Sequence, residues 1–235
     1  VRVRRMDHVV DVGAGDVAVE IDEAGNEPGV GLVDDFVSVL VFPAPCGTDV
    51  PDLPADHDHD AVLDRCALHG QDATRADVGW VKPENLHLTL KFLGQVEETR
   101  LEAIAEAVAS AARGCGPFRF VLGGLGAFPQ PRAARVVWVG VAEGAASLAG
   151  LQARLEAELE PLGFPREERP FTAHLTLGRV RGPGRREQLA AALISAPVEP
   201  LGEMVLDRIE MMKSDLRGEG PRYSILHSLP LGPSP

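Results

Sequence analysis

Two short segments, Leu86-His87-Leu88-Thr89-Leu90 and Ala173-His174-Leu175-Thr176-Leu177, share one pattern and constrain this chain more than anything else in it. In a β-strand, successive side chains point to opposite faces. Each segment therefore puts a histidine and a threonine on one face. Leucines take the other face: Leu86, Leu88 and Leu90 in the first copy, Leu175 and Leu177 in the second. The leucines can anchor a strand in a core while imidazole and hydroxyl look into a groove. Two such strands facing each other set two imidazoles and two hydroxyls around one small space.

The surroundings repeat as well. Residues 86–92 alternate as a strand. Residues 97–113 space Leu101, Ile104, Ala105 and Val108 along one helical face, with Gly114 as the stop. Residues 118–122 and 135–141 read as strands, and Gly123-Gly124-Leu125-Gly126 between them reads as turn. Residues 145–162 then form a helix with Leu148, Leu151, Leu155 and Leu159 on one stripe. Residues 171–180 read as a strand, 185–195 as a short helix, and 203–212 and 222–229 as strands. A strand with the same signature is thus followed twice by a helix and two strands. That predicts two similar lobes related by an approximate duplication.

The paired motif suits phosphodiester hydrolysis. One neutral histidine can take a proton from attacking water, and the other, protonated, can donate to the leaving oxygen. The ordinary histidine pKa lies close enough to neutrality for both tasks. Threonine hydroxyls can donate to the non-bridging oxygens, where charge accumulates in the transition state. Such a site calls for no metal and no cofactor. A lone His-x-Thr is a commonplace of strands; two copies in matching leucine frames are not.

At these residues the chain resembles the 2H phosphoesterase superfamily, and within it the RNA 2′,3′-cyclic phosphodiesterase (2′-5′ RNA ligase) family. The stretches that carry the resemblance are Trp80-Val81-Lys82-Pro83-Glu84-Asn85 running through the first motif to Lys91-Phe92-Leu93-Gly94, then Gly124-Leu125-Gly126-Ala127-Phe128-Pro129. Arg169-Pro170-Phe171-Thr172 running through the second motif to Gly178-Arg179, and Gly220-Pro221-Arg222-Tyr223, complete it. The resemblance covers about residues 78–232. It implies an α/β (α+β) bilobal fold, two pseudo-symmetric lobes of antiparallel sheet with outer helices around a central groove. The implied reaction opens a 2′,3′-cyclic phosphate end of RNA or a nucleotide to the 2′-phosphate. By the same resemblance His87 protonates the departing 3′ oxygen, His174 activates water, and Thr89 and Thr176 hold the phosphate; the two histidine roles can also be exchanged. Alternatives are 2′-5′ RNA ligase activity, or an RNA- or nucleotide-binding module that has lost catalysis.

Other residues are candidates of a second order. Arg179 lies an odd number of steps from His174, so an undistorted strand turns it away from the groove. A strand that ends or bends first lets it contact phosphate; a solvated salt bridge is the equal alternative. Lys91 shares the His87 face by period two and reads as a solvated strand-end lysine. Phe171 and Tyr223 are candidates to stack on a base, although a residue of either kind is more often core. A positive groove, if there is one, needs local placement of Arg132, Arg135 and Arg179.

Charge divides the chain. Residues 1–78 hold 17 acidic and 5 basic side chains, while residues 79–235 hold 18 of each, so the whole net charge of −12 lies in the first third. That asymmetry sets a boundary: an acidic, atypical segment over 1–78, largely irregular or disordered, and a phosphoesterase domain over 79–235. Within the first segment, residues 36–42 read as a strand and 61–68 as a short helix. It lacks the family's usual opening strand and Leu/Ala-rich helix, and is read as an upstream extension or a stretch in a shifted frame. His57-Asp58-His59-Asp60, with Cys66 and His69 nearby, has zinc-type ligands but sits in an acidic loop-like stretch and reads as solvated. Cys46, Cys66 and Cys115 fit neither a disulfide framework nor a zinc site. No apolar run is long enough to span a bilayer. The expectation is a cytoplasmic monomer acting on RNA or nucleotides, with no membrane partner.

Overall fold

The computed structural model describes residues 36–41, 76–82, 85–196, 199–217 and 220–232. They build one nine-stranded sheet from β1 (Phe36–Val41), β2 (Val78–Trp80), β3 (Leu88–Gln95), β4 (Phe118–Phe128), β5 (Val136–Glu143), β6 (His174–Val180), β7 (Pro200–Leu206), β8 (Arg208–Arg217) and β9 (Gly220–Pro230). Among the described residues three α-helices accompany it: α1 (Leu101–Ala112), α2 (Ala145–Leu159) and α3 (Arg186–Ser195). The strand order is β7-β4-β5-β6-β3-β1-β8-β9, with β2 added on β6, and neighbouring strands run antiparallel.

The sheet divides naturally in the middle. Between β3 and β6 the register holds a single pair, Leu88 opposite Leu175. On either side the ladders are long. One lobe is β7-β4-β5-β6 and the other is β3-β1-β8-β9, so the bilobal α/β architecture implied by the resemblance is the one found. The duplication is not laid out one repeat per lobe, however. Strands β4 and β5 follow the first motif in sequence but pair toward β6, which carries the second. Strands β8 and β9 follow the second motif but complete the lobe of β3.

Strand β1 explains its own place. Its sequence is a continuous apolar run broken by one serine, suited to a strand covered on both faces. It lies between β3 and β8, with Leu40 opposite Thr89 on one side and Glu210 on the other. Val37, Ser38, Val39 and Leu40 are all buried. The expected helix over 61–68, the His57–Asp60 cluster, Cys46, Cys66 and His69 lie outside the described residues.

The leucine stripe of α2 is buried as the spacing predicts: Leu148, Leu151, Leu155 and Leu159 join Ile104 and Val108 of α1 in the main core. Full burial of each leucine contributes roughly 1.5–3 kcal/mol. Helix α3 covers a smaller cluster with Leu189 and Leu193 on Ala127, Ala134 and Val137.

Two expectations need correction. The strand expected over 203–212 is two strands broken at Asp207, and they go to opposite regions of the sheet, β7 beside β4 and β8 beside β1. Asp207 marks the break by accepting from the Arg208 guanidinium at 3.1 Å and, through its carbonyl, from the Leu231 N–H at 2.8 Å. Nor is Gly123-Gly124-Leu125-Gly126 a turn. Strand β4 continues through it to Phe128, which pairs with Val136. Gly126 lies opposite Trp138, whose ring takes the space of a side chain: a Cβ there would collide with it.

Candidate active site

Both motif strands bulge at the same place, directly after the threonine. In β3, Thr89 pairs with Leu40 and Lys91 with Val39, so Leu90 is the extra residue. In β6, Thr176 pairs with Trp138 and Gly178 with Val137, so Leu177 is the extra residue. A bulge puts two successive side chains on one side and reverses the alternation beyond it. Lys91 therefore joins Leu90 on the core side, and Phe92 returns to the face of His87 and Thr89. Gly178 joins Leu177, and Arg179 returns to the face of His174 and Thr176.

The consequences correct one reading and resolve another. Lys91 is not a solvated groove residue. It is 8% exposed, with Nζ 2.5 Å from Glu156 Oε2 and 2.8 Å from the carbonyl of Pro165. Gln152 donates to the other carboxylate oxygen of Glu156 at 2.8 Å. Arg179 does turn to the groove. Its charge reaches both His87, where it adds to the lowering by burial, and Tyr223, where it opposes the raising by burial. Gly178 has no room for a side chain, since its Cβ would stand 2.7 Å from Val78 Cγ1 on β2.

The pairing of Leu88 with Leu175 sets His87 across from Thr176 and Thr89 across from His174. The four motif side chains thus share one face where the lobes meet. The two imidazoles are held alike. His87 Nδ1 lies 2.7 Å from the carbonyl of Asn85, and His174 Nδ1 lies 2.7 Å from the carbonyl of Thr172. A carbonyl can only accept, so Nδ1 carries a proton in both rings. In the neutral ring the lone pair is then on Nε2, and in the imidazolium Nε2 is the second acidic position.

An aromatic ring braces each histidine. Tyr223 of β9 meets His87 edge to face at 5.0 Å between centroids, and Phe128 of β4 meets His174 in the same way at 5.0 Å. Trp138 stands 6.1 Å from His174 and 5.2 Å from Phe128. Sequence reasoning missed Phe128, Trp138, Asn85 and Thr172 as site residues, because their parts depend on strand pairing and chain turns. Burial lowers the pKa of His87, the bond to Asn85 opposes this, and the charges of His174 and Arg179 lower it further. Burial raises the pKa of the Tyr223 phenol, with Arg179 opposing.

Beside Thr89 and His174 lies a cleft of about 630 Å³, lined further by residues 90–93 of β3, by Gln152 and Glu156 of α2 and by the loop from Phe164 to Thr172. Phe171 lines it from that loop and packs partly on the main core, ahead of β6 rather than inside the strand as expected. Arg132 and Arg135 are exposed in the connection between β4 and β5. Cys115 accepts from Arg154 at 3.0 Å. Among the described residues no three His, Cys, Asp or Glu side chains gather as a metal site, and no helix is long and apolar enough to cross a membrane.

A bilobal antiparallel sheet with outer helices is the architecture that this chain shares with the 2H phosphoesterases. The family model of the 2′-5′ RNA ligase superfamily matches residues 56–218, and the chain belongs to that superfamily. A curated RNA 2′,3′-cyclic phosphodiesterase of Methanothermobacter thermautotrophicus is 42% identical over 149 residues, 63% of this chain and 80% of the relative. Another, of Thermotoga maritima, is 38% identical over 167 residues, 71% of this chain and 83% of the relative. The crystal structure of TT0787 of Thermus thermophilus superposes with a TM-score of 0.63 at 27% identity, covering 84% of this chain and 98% of that one.

Proposed function

We propose that this protein hydrolyses 2′,3′-cyclic phosphate ends of RNA or nucleotides to 2′-phosphates, with His87 and His174 as the proton-transfer pair and no metal. The observation that carries this reading is the matched pinning of the two rings. Each ring, one in each lobe, is held through its Nδ1 proton by the carbonyl two residues back. The curated relatives named RNA 2′,3′-cyclic phosphodiesterase support the substrate class.

The chemistry balances with two rings. Water oxygen attacks phosphorus as one neutral Nε2 takes its proton. The bond from phosphorus to O3′ breaks as the other Nε2–H protonates O3′. The product is a 2′-phosphate beside a 3′-hydroxyl, and the pair is restored by proton exchange with solvent. Thr89 and Thr176 donate to the non-bridging oxygens, and Arg179 adds positive charge there. Burial by the protein alone favours a neutral His87, the form of a base. The assignment by resemblance, with His87 as acid, requires the bound phosphate anion to raise that pKa. A 5′-hydroxyl in place of water would yield a 2′-5′ linkage by the same steps.

The test is hydrolysis of adenosine 2′,3′-cyclic phosphate with EDTA present. Adenosine 2′-phosphate as the product supports the reading. Turnover that EDTA abolishes and a divalent cation restores removes its metal-free part. No turnover of nucleotide or RNA ends leaves a binding module as the better account.

A further inference from the structure

Each bulged strand reaches across to the segment that holds the other motif's histidine. In β6 the extra residue is Leu177, and its carbonyl accepts from the Val81 N–H at 2.8 Å. Val81 opens the segment that runs to Asn85, whose carbonyl holds His87. In β3 the bulge turns Lys91 inward, and its ammonium donates to the Pro165 carbonyl at 2.8 Å. Pro165 opens the loop that runs to Thr172, whose carbonyl holds His174. The two ties are reciprocal, but the first is made by backbone alone and the second depends on a side chain.

That side chain is firmly set. Lys91 is buried, and Glu156 of α2 holds its ammonium at 2.5 Å. Gln152, one turn earlier on α2, donates to the other carboxylate oxygen at 2.8 Å. With both oxygens bound, the carboxylate fixes where the ammonium sits. The remaining bond to Pro165 is charge-assisted and stronger than a neutral one. The cleft beside Thr89 and His174 is lined by β3 and by this loop, and Lys91, Glu156 and Pro165 all border it. Lys91 therefore bridges its two walls. At the far end of the loop, Phe171 and Ala173 pack partly on the main core. The Thr172 carbonyl is set between these two holds, one ionic and one apolar.

We propose that Lys91 is a positioning residue for His174. Through Pro165 it fixes the loop whose Thr172 carbonyl keeps the proton on Nδ1, so the first motif strand sets the tautomer and direction of the second motif's ring. The catalytic consequence rests on the phosphodiesterase reading above. A reacting group misplaced by about 1 Å loses on the order of 10²-fold in rate.

The test separates this role from the stability of the ion pair. Glu156→Gln removes the counter-ion but leaves Lys91 its bond to Pro165. Lys91→Met with Glu156→Leu removes that bond without leaving a buried charge. Nitrogen-15 NMR of the imidazoles should show neutral His174 with its proton on Nδ1 in the native protein and in Glu156→Gln. In the double variant a share of His174 should carry it on Nε2 instead, while His87 keeps its native signals. On adenosine 2′,3′-cyclic phosphate the double variant should lose roughly 10- to 100-fold in kcat with KM nearly unchanged. A native His174 tautomer in the folded double variant overturns the proposal, and so does an equal change at His87. Lys91→Gln with Glu156→Gln, a neutral pair whose shorter side chain gives up Pro165, answers the same question should the first pair not fold. If the native protein turns over no cyclic phosphate, the phosphodiesterase reading fails by itself, and the tautomer of His174 still decides for Lys91.

Discussion

Lys91 and Glu156 form a buried ion pair at 2.5 Å that ties the first motif strand to helix α2. A further contact runs from the same ammonium to the carbonyl of Pro165, in the loop leading to Phe171 and the second motif. One lysine therefore links β3, α2 and the approach to β6. Removing either partner leaves a buried charge without its counter-ion. Lys91→Met and Glu156→Gln should each cost about 3–5 kcal/mol of stability, read from urea unfolding. The double replacement Lys91→Met with Glu156→Leu should recover most of that loss. Single variants as stable as the native protein would show that the pair is not what holds these elements together.

His87→Ala and His174→Ala should each lower kcat by roughly 10²- to 10⁴-fold while the protein still binds adenosine 2′-phosphate. A substrate with sulfur in place of the 3′ bridging oxygen separates the two roles, because a thiolate departs without a proton. The variant lacking the acid should regain rate on that substrate, and the variant lacking the base should not. Equal rescue of both variants would contradict any division of labour between the rings.

The pH dependence has a definite sign. With His87 lowered from its ordinary 6.5, the unfolded chain binds the proton more tightly than the folded one. This residue's contribution to stability is complete above about pH 6.5 and is lost as pH falls toward the lower folded pKa. His87→Phe should therefore lose less Tm than the native protein between pH 7 and pH 5. Arg179→Met removes one of the charges that lower this pKa, and should move the titration of the His87 ring, followed by NMR, to higher pH. No movement would mean that Arg179 does not face the ring in solution.

Gly126→Ala places a methyl group where the Trp138 ring stands. Trp138 must shift, and with it the Phe128–His174 contact. Overpacking of this kind should cost about 1–3 kcal/mol. The tryptophan fluorescence and kcat should change together. A normal kcat alongside altered fluorescence would separate Trp138 from the placement of His174.

The two motif strands and the leucine stripe of α2 were legible because each depends on local periodicity. The groove face of His87, Thr89, His174 and Thr176 follows from period two up to the threonine. Beyond it, period two misplaces Lys91 and Arg179, because each strand gains one residue at Leu90 or Leu177. Nothing local announces such a bulge; it is defined by the partner strand. The same holds for Gly126, whose lack of a side chain answers to Trp138 across the ladder, and for Tyr223, which meets His87 from another part of the chain. At Asp207 the alternation continues while the strand does not, since β7 and β8 find different neighbours.

The exchange of strands between the lobes bears on how the molecule is assembled. A chain cut after Glu143 has β4 and β5 without β6, and β1 and β3 without β8. The other piece has β6 without β5, and β8 without β1. Neither piece owns a finished sheet, so the loop-closure entropy of the distant pairings is lost before their contacts can offset it. Such a topology favours all-or-none folding, in which the two imidazoles first meet when the last long-range ladder closes. Split at that point, the halves should be inert alone and recover function only as a reconstituted pair.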